Sequence, residues 1–383
     1  MFRGKARYLE KLTSRLQFKS VEVGQELEGS SPPSVFVGKA GYPKVYIGPM
    51  MSVQEESALL DLPEAWIDSV KSNAEIVNFR LQLVRGKQLT EIKEENSFVE
   101  KMRDIVLAKN SVHVDAEFEK KPRGTFFHED MQPFGPSAAL KNLETENAKY
   151  HPQLEKAYYD TDLKARDAIL QLNDKGLLFS QIQKALSVGV FGRKRARRLV
   201  PTRWSITAAD STISDASIEE LKHFPLIDTF RVYEFASLKN YFSALLMPTP
   251  WQYEFIEAFI RVLGQEIMMF SDYETHFKKK EYASIGGCYY SARLAVAEAL
   301  EREEKQAGAV IFRESYPGYI PLGVWNVREN MKKAMQQVPK EFSSLNEALA
   351  YMNTKLYLPL HRWMRQSQVL KSVRQQRTLA SFG

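Results

Sequence analysis

Short runs of β-branched and aromatic residues open the chain, and segments with helical spacing of apolar residues follow. Residues 34–38 and 44–48 predict two strands, because glycine and proline bracket both runs and Gly41-Tyr42-Pro43 lies between them as a turn. In residues 90–108 the apolar positions fall near helical spacing, and residues 112–118 then alternate apolar with polar. This part of the chain therefore predicts strand, turn, strand, helix and strand.

The later pattern mixes helices and strands without a repeat or a regular βαβ order. It predicts helices near residues 8–16, 154–172, 180–186, 251–270, 289–305, 324–337 and 345–354, strands within 229–246 and 309–313, and a loop over 122–142. We expect an α+β (irregular mixed α/β) fold in which mixed sheet regions are flanked by helices.

A chain of 383 residues with 44% hydrophobic content exceeds the length at which one core saturates, so two closely packed domains are expected. Changes in composition along the chain suggest the domain boundaries. They are a charged lead-in over 1–30, an N-terminal domain over 31–275, a C-terminal domain over 276–368 and a flexible tail over 369–383.

Composition excludes several classes of protein and of site. No stretch approaches the roughly 18 uninterrupted apolar residues of a membrane span, so we expect a soluble, cytoplasmic protein. A nucleoid-associated location is expected together with the DNA contacts considered below. Cys288 is the only cysteine, which excludes an internal disulfide and four-cysteine zinc sites. The six histidines lack HExxH or HxH spacing, so a metal would need a mixed set of histidine and carboxylates gathered by the fold. No metal site is predicted, and no cofactor is identified.

In this chain of net charge +6, the densest run of positive charge covers residues 192–198, and Arg203 lies just beyond it. No acidic residue occurs from 188 to 209, where cations and a tryptophan could contact phosphates and an unstacked base. A solvated basic surface is the alternative for the cations, and burial in a core is the commoner role of a tryptophan. The candidate nucleic-acid contacts are Arg193, Lys194, Arg195, Arg197, Arg198, Arg203 and Trp204.

A turn-rich loop places an imidazole beside two carboxylates, and a pocket lined by these groups would suit general acid/base chemistry. Surface polarity is the alternative, since adjacent loop side chains diverge. The chain has no GxGxxG, Walker A or GxSxG sequence, so no class of enzyme follows. The candidate pocket residues are His128, Glu129, Asp130, Thr207 and Asp210, with Arg203 beside them.

The end of the chain spaces Gln376, Leu379 and Phe382 at intervals of three. In a single 3₁₀ turn, residues three apart eclipse, so Leu379 and Phe382 would project together as an apolar plug. This pattern resembles the PIP box by which replication and repair proteins bind the sliding clamp PCNA. Gly383 stands where the box usually has a second aromatic residue, so we expect a weak, reversible attachment. A frayed tail without a partner is the alternative.

Four blocks of the sequence resemble the archaeal Nre family of DNA-repair proteins. They are residues 30–50, Gln132-Pro-Phe-Gly-Pro-Ser137, residues 198–208 and residues 321–330. The resemblance implies two Nre-like domains, a part in DNA-damage repair and a terminal peptide that recruits the protein to PCNA. It implies no particular reaction. Some members carry a cysteine-rich zinc finger near the N-terminus, which a chain with Cys288 alone lacks.

Three functions remain open at this point. The first is a DNA-repair factor that binds PCNA through its tail and nucleic acid through its basic cluster. The second is an enzyme acting on DNA or a nucleotide in a pocket around Arg203, Thr207 and Asp210. The third is a non-catalytic scaffold that joins PCNA to another repair protein and exposes a large apolar patch.

Overall fold

A computed structural model describes residues 5–16, 18–69, 71–127 and 131–375. The strands are β1 Glu26–Ser31, β2 Val35–Val37, β3 Lys44–Met51, β4 Val84–Glu91, β5 Val112–Phe118, β6 Ser137–Thr145, β7 Phe230–Ser237, β8 Asn240–Met247, β9 Tyr253–Ile260, β10 Ile267–Glu274, β11 Gly308–Ser315 and β12 Lys340–Phe342. The helices are α1 Lys5–Thr13, α2 Pro63–Asp68, α3 Asn73–Leu81, α4 Ser97–Leu107, α5 Pro152–Tyr159, α6 Ala165–Asp174, α7 Phe179–Ser187, α8 Thr202–Leu221, α9 Gly287–Arg302, α10 Trp325–Met335, α11 Leu345–Lys355, α12 Leu360–Gln366 and α13 Gln368–Gln375. Short 3₁₀ helices occupy Ala58–Asp61 and Lys194–Ala196.

The chain divides into two compact units. The N-terminal unit is drawn from segments 15–213 and 321–323, and the C-terminal unit from segments 1–14, 214–320 and 324–383. Each unit contains a six-stranded mixed sheet with helices, which confirms the predicted α+β class and two-domain organisation. The domain boundaries expected from the sequence stay a prediction. No helix within the described ranges is long and apolar enough to cross a membrane.

The sheet of the N-terminal unit has the order β1-β5-β6-β4-β3-β2. Its neighbours are antiparallel except for β4 and β6, which run parallel. Helix α4 packs against β2 and β3, and its Val99 and Met102 are fully buried, as are Val45 and Ile47 of β3. The first residues of β3 alternate between exposed and buried, which places Val45 and Ile47 in the core, and the strand predicted over residues 44–48 is confirmed.

Helix α4 begins later than the helix predicted over residues 90–108. Residues up to Glu91 belong to β4, which pairs with β3. The helix starts at Ser97 because the Asn96 side chain accepts a hydrogen bond from the Val99 amide at 2.9 Å. The predicted strand that follows is confirmed as β5.

The sheet of the C-terminal unit has the order β10-β9-β11-β8-β7-β12, with β9 and β11 parallel. Both faces of β9 are covered. Ile256 and Ile260 belong to a core cluster that includes Trp363 of α12, whereas Phe259 packs against Tyr8 of α1. Every residue of β9 is therefore buried.

The helix predicted over residues 251–270 is wrong, because this segment forms β9 and the start of β10. A strand buried on both faces shows a continuous apolar run instead of alternation, and periodicity alone cannot separate it from a buried helix. The sequence from Tyr253 to Ile260 is rich in aromatic and isoleucine residues, and Pro250 and Gly264 bracket it. These are strand signals that the helical spacing outweighed.

Three further segments differ from the sequence prediction. The predicted loop over 122–142 contains the first part of β6, and the predicted helix over 154–172 is interrupted between α5 and α6. The twenty-residue helix α8 was not predicted. It begins directly after Pro201. Proline is common at helix starts, but the pattern of apolar residues after it does not indicate a helix.

Candidate nucleic-acid interface

The loop over residues 188–201, called here the basic loop, connects α7 to α8. It is held at its C-terminal end, where the Val200 amide donates to the Ser187 carbonyl and the Leu199 amide to the Ile92 carbonyl, both at 2.8 Å. Gly189 has φ +69°, and a Cβ there would lie 2.9 Å from the Arg198 carbonyl oxygen. Glycine therefore permits a close return of the chain that fixes the loop.

The basic loop presents four exposed cations, which are Arg193, Lys194, Arg195 and Arg198. A pocket of about 390 Å³ lies beside them, and Lys164, Arg193, Arg197 and Arg198 are the charged residues that line it. No acidic side chain is among the described residues that line this pocket. The arrangement concentrates positive charge around a concave, partly apolar floor.

Arg197 stabilises the fold of the basic loop. Its Nε donates to the Gly192 carbonyl at 2.8 Å, and its Nη atoms donate to the carbonyls of Tyr158 and Asp160 at 2.7 Å each. These last two carbonyls lie at the C-terminal end of α5, which favours a cation. Burial, and then repulsion from Arg103, lower the pKa of Arg197. Its donors are engaged, so Arg197 holds the basic loop against α5.

Trp204 is exposed, contrary to the core position that is commoner for a tryptophan. It retains 45% exposure and packs on Tyr42, which is 43% exposed, with ring centroids 5.0 Å apart. Tyr42 lies in the turn between β2 and β3. The start of α8 is bound to the same hairpin, because the Val37 amide of β2 donates to Thr202 Oγ1 at 2.9 Å. The two exposed rings therefore form an aromatic pair, and Trp204 of this pair follows the basic loop closely in the sequence.

The structure describes only some of the residues of the predicted enzyme pocket. Arg203, Thr207 and Asp210 follow helical spacing on α8, but Asp210 is fully buried and none of the three is among the lining residues of the 390 Å³ pocket. The positions of these three residues therefore do not support the enzyme hypothesis. Several predicted site residues lie outside the described residues: His128, Glu129 and Asp130 of the loop, and Gln376, Leu379 and Phe382 of the tail.

The fold also gathers one mixed set of the kind that a metal would need. Glu28 of β1 lies opposite Asp115 of β5, and His113 is two residues away on the same strand. Their ligand atoms lie within 4.8 Å of one another, and both carboxylates are exposed. The sequence does not reveal this set, because the strand register alone brings Glu28 to the other two residues.

Comparison with known proteins identifies the family. Residues 4–262 match the family model described as "Archaeal Nre, N-terminal", and residues 274–382 match "Archaeal Nre, C-terminal". The chain is 40% identical over 370 residues to DNA repair protein NreB of Archaeoglobus fulgidus, covering 94% of this chain and 93% of that protein. It is 34% identical over 339 residues to DNA repair protein NreA of the same organism, covering 86% and 85%.

A relative from a second organism agrees. DNA repair protein NreA of Haloferax volcanii is 29% identical over 364 residues, which cover 90% of this chain and 86% of that protein. No solved structure matches the chain significantly. Because the two family models together span nearly the whole sequence, the chain belongs to the archaeal Nre family.

Proposed function

We propose that this protein is a DNA-repair factor that contacts DNA through the basic loop and attaches to the sliding clamp PCNA through its terminal peptide. The observation that carries the DNA contact is the set of exposed cations around a pocket whose described lining contains no acidic side chain. The relatives named DNA repair proteins, at up to 40% identity, support the cellular role.

The basic loop suits phosphate contacts for two physical reasons. Its backbone is fixed by hydrogen bonds at 2.8 Å and by Arg197, so the exposed cations are displayed without a large ordering cost. Each cation that neutralises a phosphate releases condensed counterions, which favours binding at low salt. Such contacts position a protein on DNA without reading its sequence.

Salt-dependent binding tests this contact. The full chain and the variant Arg193→Gln/Lys194→Gln/Arg195→Gln are titrated into a labelled 20-base-pair duplex at several salt concentrations, and fluorescence anisotropy gives the affinity. If two or three of these cations contact phosphates, the slope of log K against log salt becomes shallower by about 2–3.

The matched control removes three positive charges that the structure places in ion pairs, two with exposed lysines and one with the half-buried Lys101. It is Lys44→Gln/Lys101→Gln/Lys141→Gln, whose lysines lie 3.6, 3.0 and 2.5 Å from Glu91, Glu144 and Glu117 respectively. The slope of this variant stays close to that of the parent. Equal slopes for the loop variant and the control would refute the DNA contact.

The attachment of the tail begins at α13, the last described helix. The buried Glu254 carboxylate of β9 accepts hydrogen bonds from the amides of Gln368 and Val369 at 2.9 and 3.1 Å and from the Ser367 hydroxyl. Val369 and Leu370 are buried. The helix is therefore anchored to the sheet, and the proposed PCNA-binding residues start immediately after Gln375.

Titration with the cognate PCNA tests the attachment. We expect the full chain to bind, the variant Leu379→Ala/Phe382→Ala to lose most of its affinity, and Gly383→Phe to bind more tightly because it supplies the second ring. Arg374→Gln is the control, since this exposed residue precedes the motif. Unchanged binding by the Leu379/Phe382 variant would refute the assignment of the tail.

A further inference from the structure

Among the described residues, two half-buried cations on β4, Arg85 and Lys87, lack the acidic partners that the buried Arg80 and Arg103 have. Arg80 is paired with Asp61, and Arg103 with Glu95. The Nε atom of Arg85 is buried with no hydrogen-bond partner, and neither Arg85 nor Lys87 lies in an ion pair among the described residues. A buried guanidinium nitrogen without a hydrogen-bond partner is energetically costly.

Two aromatic rings fix the Arg85 guanidinium. Its central carbon lies 4.5 Å from the ring centroid of Phe36 and 5.1 Å from that of Phe134. The two rings themselves meet edge to face with centroids 4.6 Å apart. Ring faces attract the cation without neutralising it. Arg85 is therefore held in place while its charge stays uncompensated by the described residues.

The strand register places exposed apolar side chains on the same face of the sheet. Met50 of β3 lies opposite Arg85, and Tyr46 lies opposite Leu89, so Tyr46 and Leu89 share the face of Arg85 and Lys87. Tyr46 is 47% exposed and Leu89 is 51% exposed. The Tyr46 ring is thus displayed two positions along the sheet from Lys87 and four positions from Arg85.

A gap in side chains lies between these groups. Gly48 falls between Tyr46 and Met50 on β3, and it pairs with Phe36 of β2. A Cβ on Gly48 would lie 1.8 Å from the Gly86 carbonyl oxygen, so the strands leave no room for a side chain there. The face consequently has a bare backbone floor beside Phe36, Tyr46 and the cations.

The electrostatics of this face favour an anion. Burial lowers the pKa of Arg85 to about 10. Burial, and then repulsion from Arg85, lower the pKa of Lys87. Both shifts reflect positive charge held in partial burial, with no carboxylate of the described residues among their causes. A bound phosphate would stabilise both charged forms.

We propose that this face of β2, β3 and β4 binds an unpaired nucleotide of single-stranded nucleic acid, with the phosphate at Arg85 and Lys87 and the base on the Tyr46 ring. Aromatic stacking requires a base that is free of its partner, which a duplex does not offer. The residues are distinct from those of the basic loop, so this surface is a second contact beyond the proposed function.

Anisotropy with matched oligonucleotides tests the inference. The full chain is titrated into labelled dT12, labelled U12 and a labelled 12-base-pair duplex, with dTMP and a twelve-residue polyglutamate as competitors. Tyr46→Ala is expected to weaken binding to dT12 about tenfold, from the loss of one stacked base. Lys87→Gln is expected to make the salt slope shallower by about 0.7. Neither substitution changes duplex binding.

Lys141→Gln is the control, because it removes the same charge from an exposed lysine 2.5 Å from Glu117 in the same unit. Circular dichroism confirms that each variant is folded, and Arg85→Gln is added where it remains so. Equal losses on dT12 and on the duplex would overturn the proposal, as would displacement of dT12 by polyglutamate at the same charge concentration.

The result separates this surface from the basic loop. Retention of dT12 affinity within twofold by both Tyr46→Ala and Lys87→Gln overturns this inference, even where the basic-loop variant loses affinity for the duplex. Loss by the face variants with an unchanged basic-loop variant supports it while refuting the loop contact. The comparison of dT12 with U12 shows whether the strand is DNA or RNA, since only the latter carries 2′-hydroxyls.

Discussion

Substitution of Asp61 by asparagine should destabilise the N-terminal unit severely. Asp61 Oδ1 lies 2.5 Å from Arg80 Nη1, and Asp61 Oδ2 lies 2.8 Å from Lys184 Nζ. The three residues come from the 3₁₀ helix Ala58–Asp61, α3 and α7, and all are buried. One carboxylate thus compensates two buried cations that join three elements.

The magnitude follows from the charges that remain. Removing one partner of a buried ion pair leaves an uncompensated charge and costs about 3–5 kcal/mol. Asparagine keeps the shape of Asp61 but leaves Arg80 and Lys184 without a carboxylate, so we place the cost in the upper half of that range. For a unit of this size, the midpoint of thermal unfolding should fall by roughly 8–20 °C.

The same site predicts a pH dependence. Burial by itself would raise the pKa of Asp61, but attraction to Arg80 and then to Lys184 outweighs it and lowers the pKa below 3.8. The folded unit therefore binds this proton less readily than the unfolded chain does. The contribution of Asp61 is fully present above about pH 4 and is lost as the pH falls through the depressed value.

Urea unfolding followed by circular dichroism measures the difference between Asp61→Asn and the parent at several pH values. The difference should be constant from about pH 5 to 7 and should shrink below about pH 4. Lys141→Gln, at an exposed pair with Glu117, should cost less than about 1 kcal/mol at every pH. A loss for Asp61→Asn as small as that of the control would refute the reasoning.

Three further substitutions have expected outcomes. Arg197→Met should cost about 1–3 kcal/mol of stability in urea unfolding, because its guanidinium serves backbone carbonyls at 2.7–2.8 Å; a loss of DNA affinity without a loss of stability would contradict this. Glu254→Ala should raise hydrogen exchange at the amides of α13, whose first donors lose their acceptor, while unchanged exchange would contradict the anchor. Gly48→Ala should destabilise the sheet by about 1–3 kcal/mol, since its Cβ would lie 1.8 Å from a backbone oxygen; a melting temperature equal to that of the parent would contradict the close approach.

Local patterns predicted β5 and α11, in which one side is buried and the other is exposed. Helices α9 and α10, which are buried around most of their circumference, also appear within a few residues of their predicted bounds. The failure at residues 251–270 has a tertiary cause, because β9 is covered on both faces and its alternation disappears. Burial of both faces depends on α1 and α12, which lie far away in the sequence, so local periodicity contains no trace of it.

The candidate sites show why the density of charged residues in a sequence does not by itself identify the cations that can bind a ligand. The run from Arg193 to Arg198 is the densest basic stretch, yet Arg197 within it is engaged with backbone carbonyls. Arg80 and Arg85 lie five residues apart, and the sequence gives no reason to treat them differently. Within the described part of the chain, the fold brings a carboxylate, that of Asp61, to Arg80, whereas Arg85 lies against the rings of Phe36 and Phe134. A cation can bind a ligand only if no carboxylate or carbonyl from a distant segment already occupies its donors. For this reason the structure adds Arg85 to the residues that merit a binding experiment.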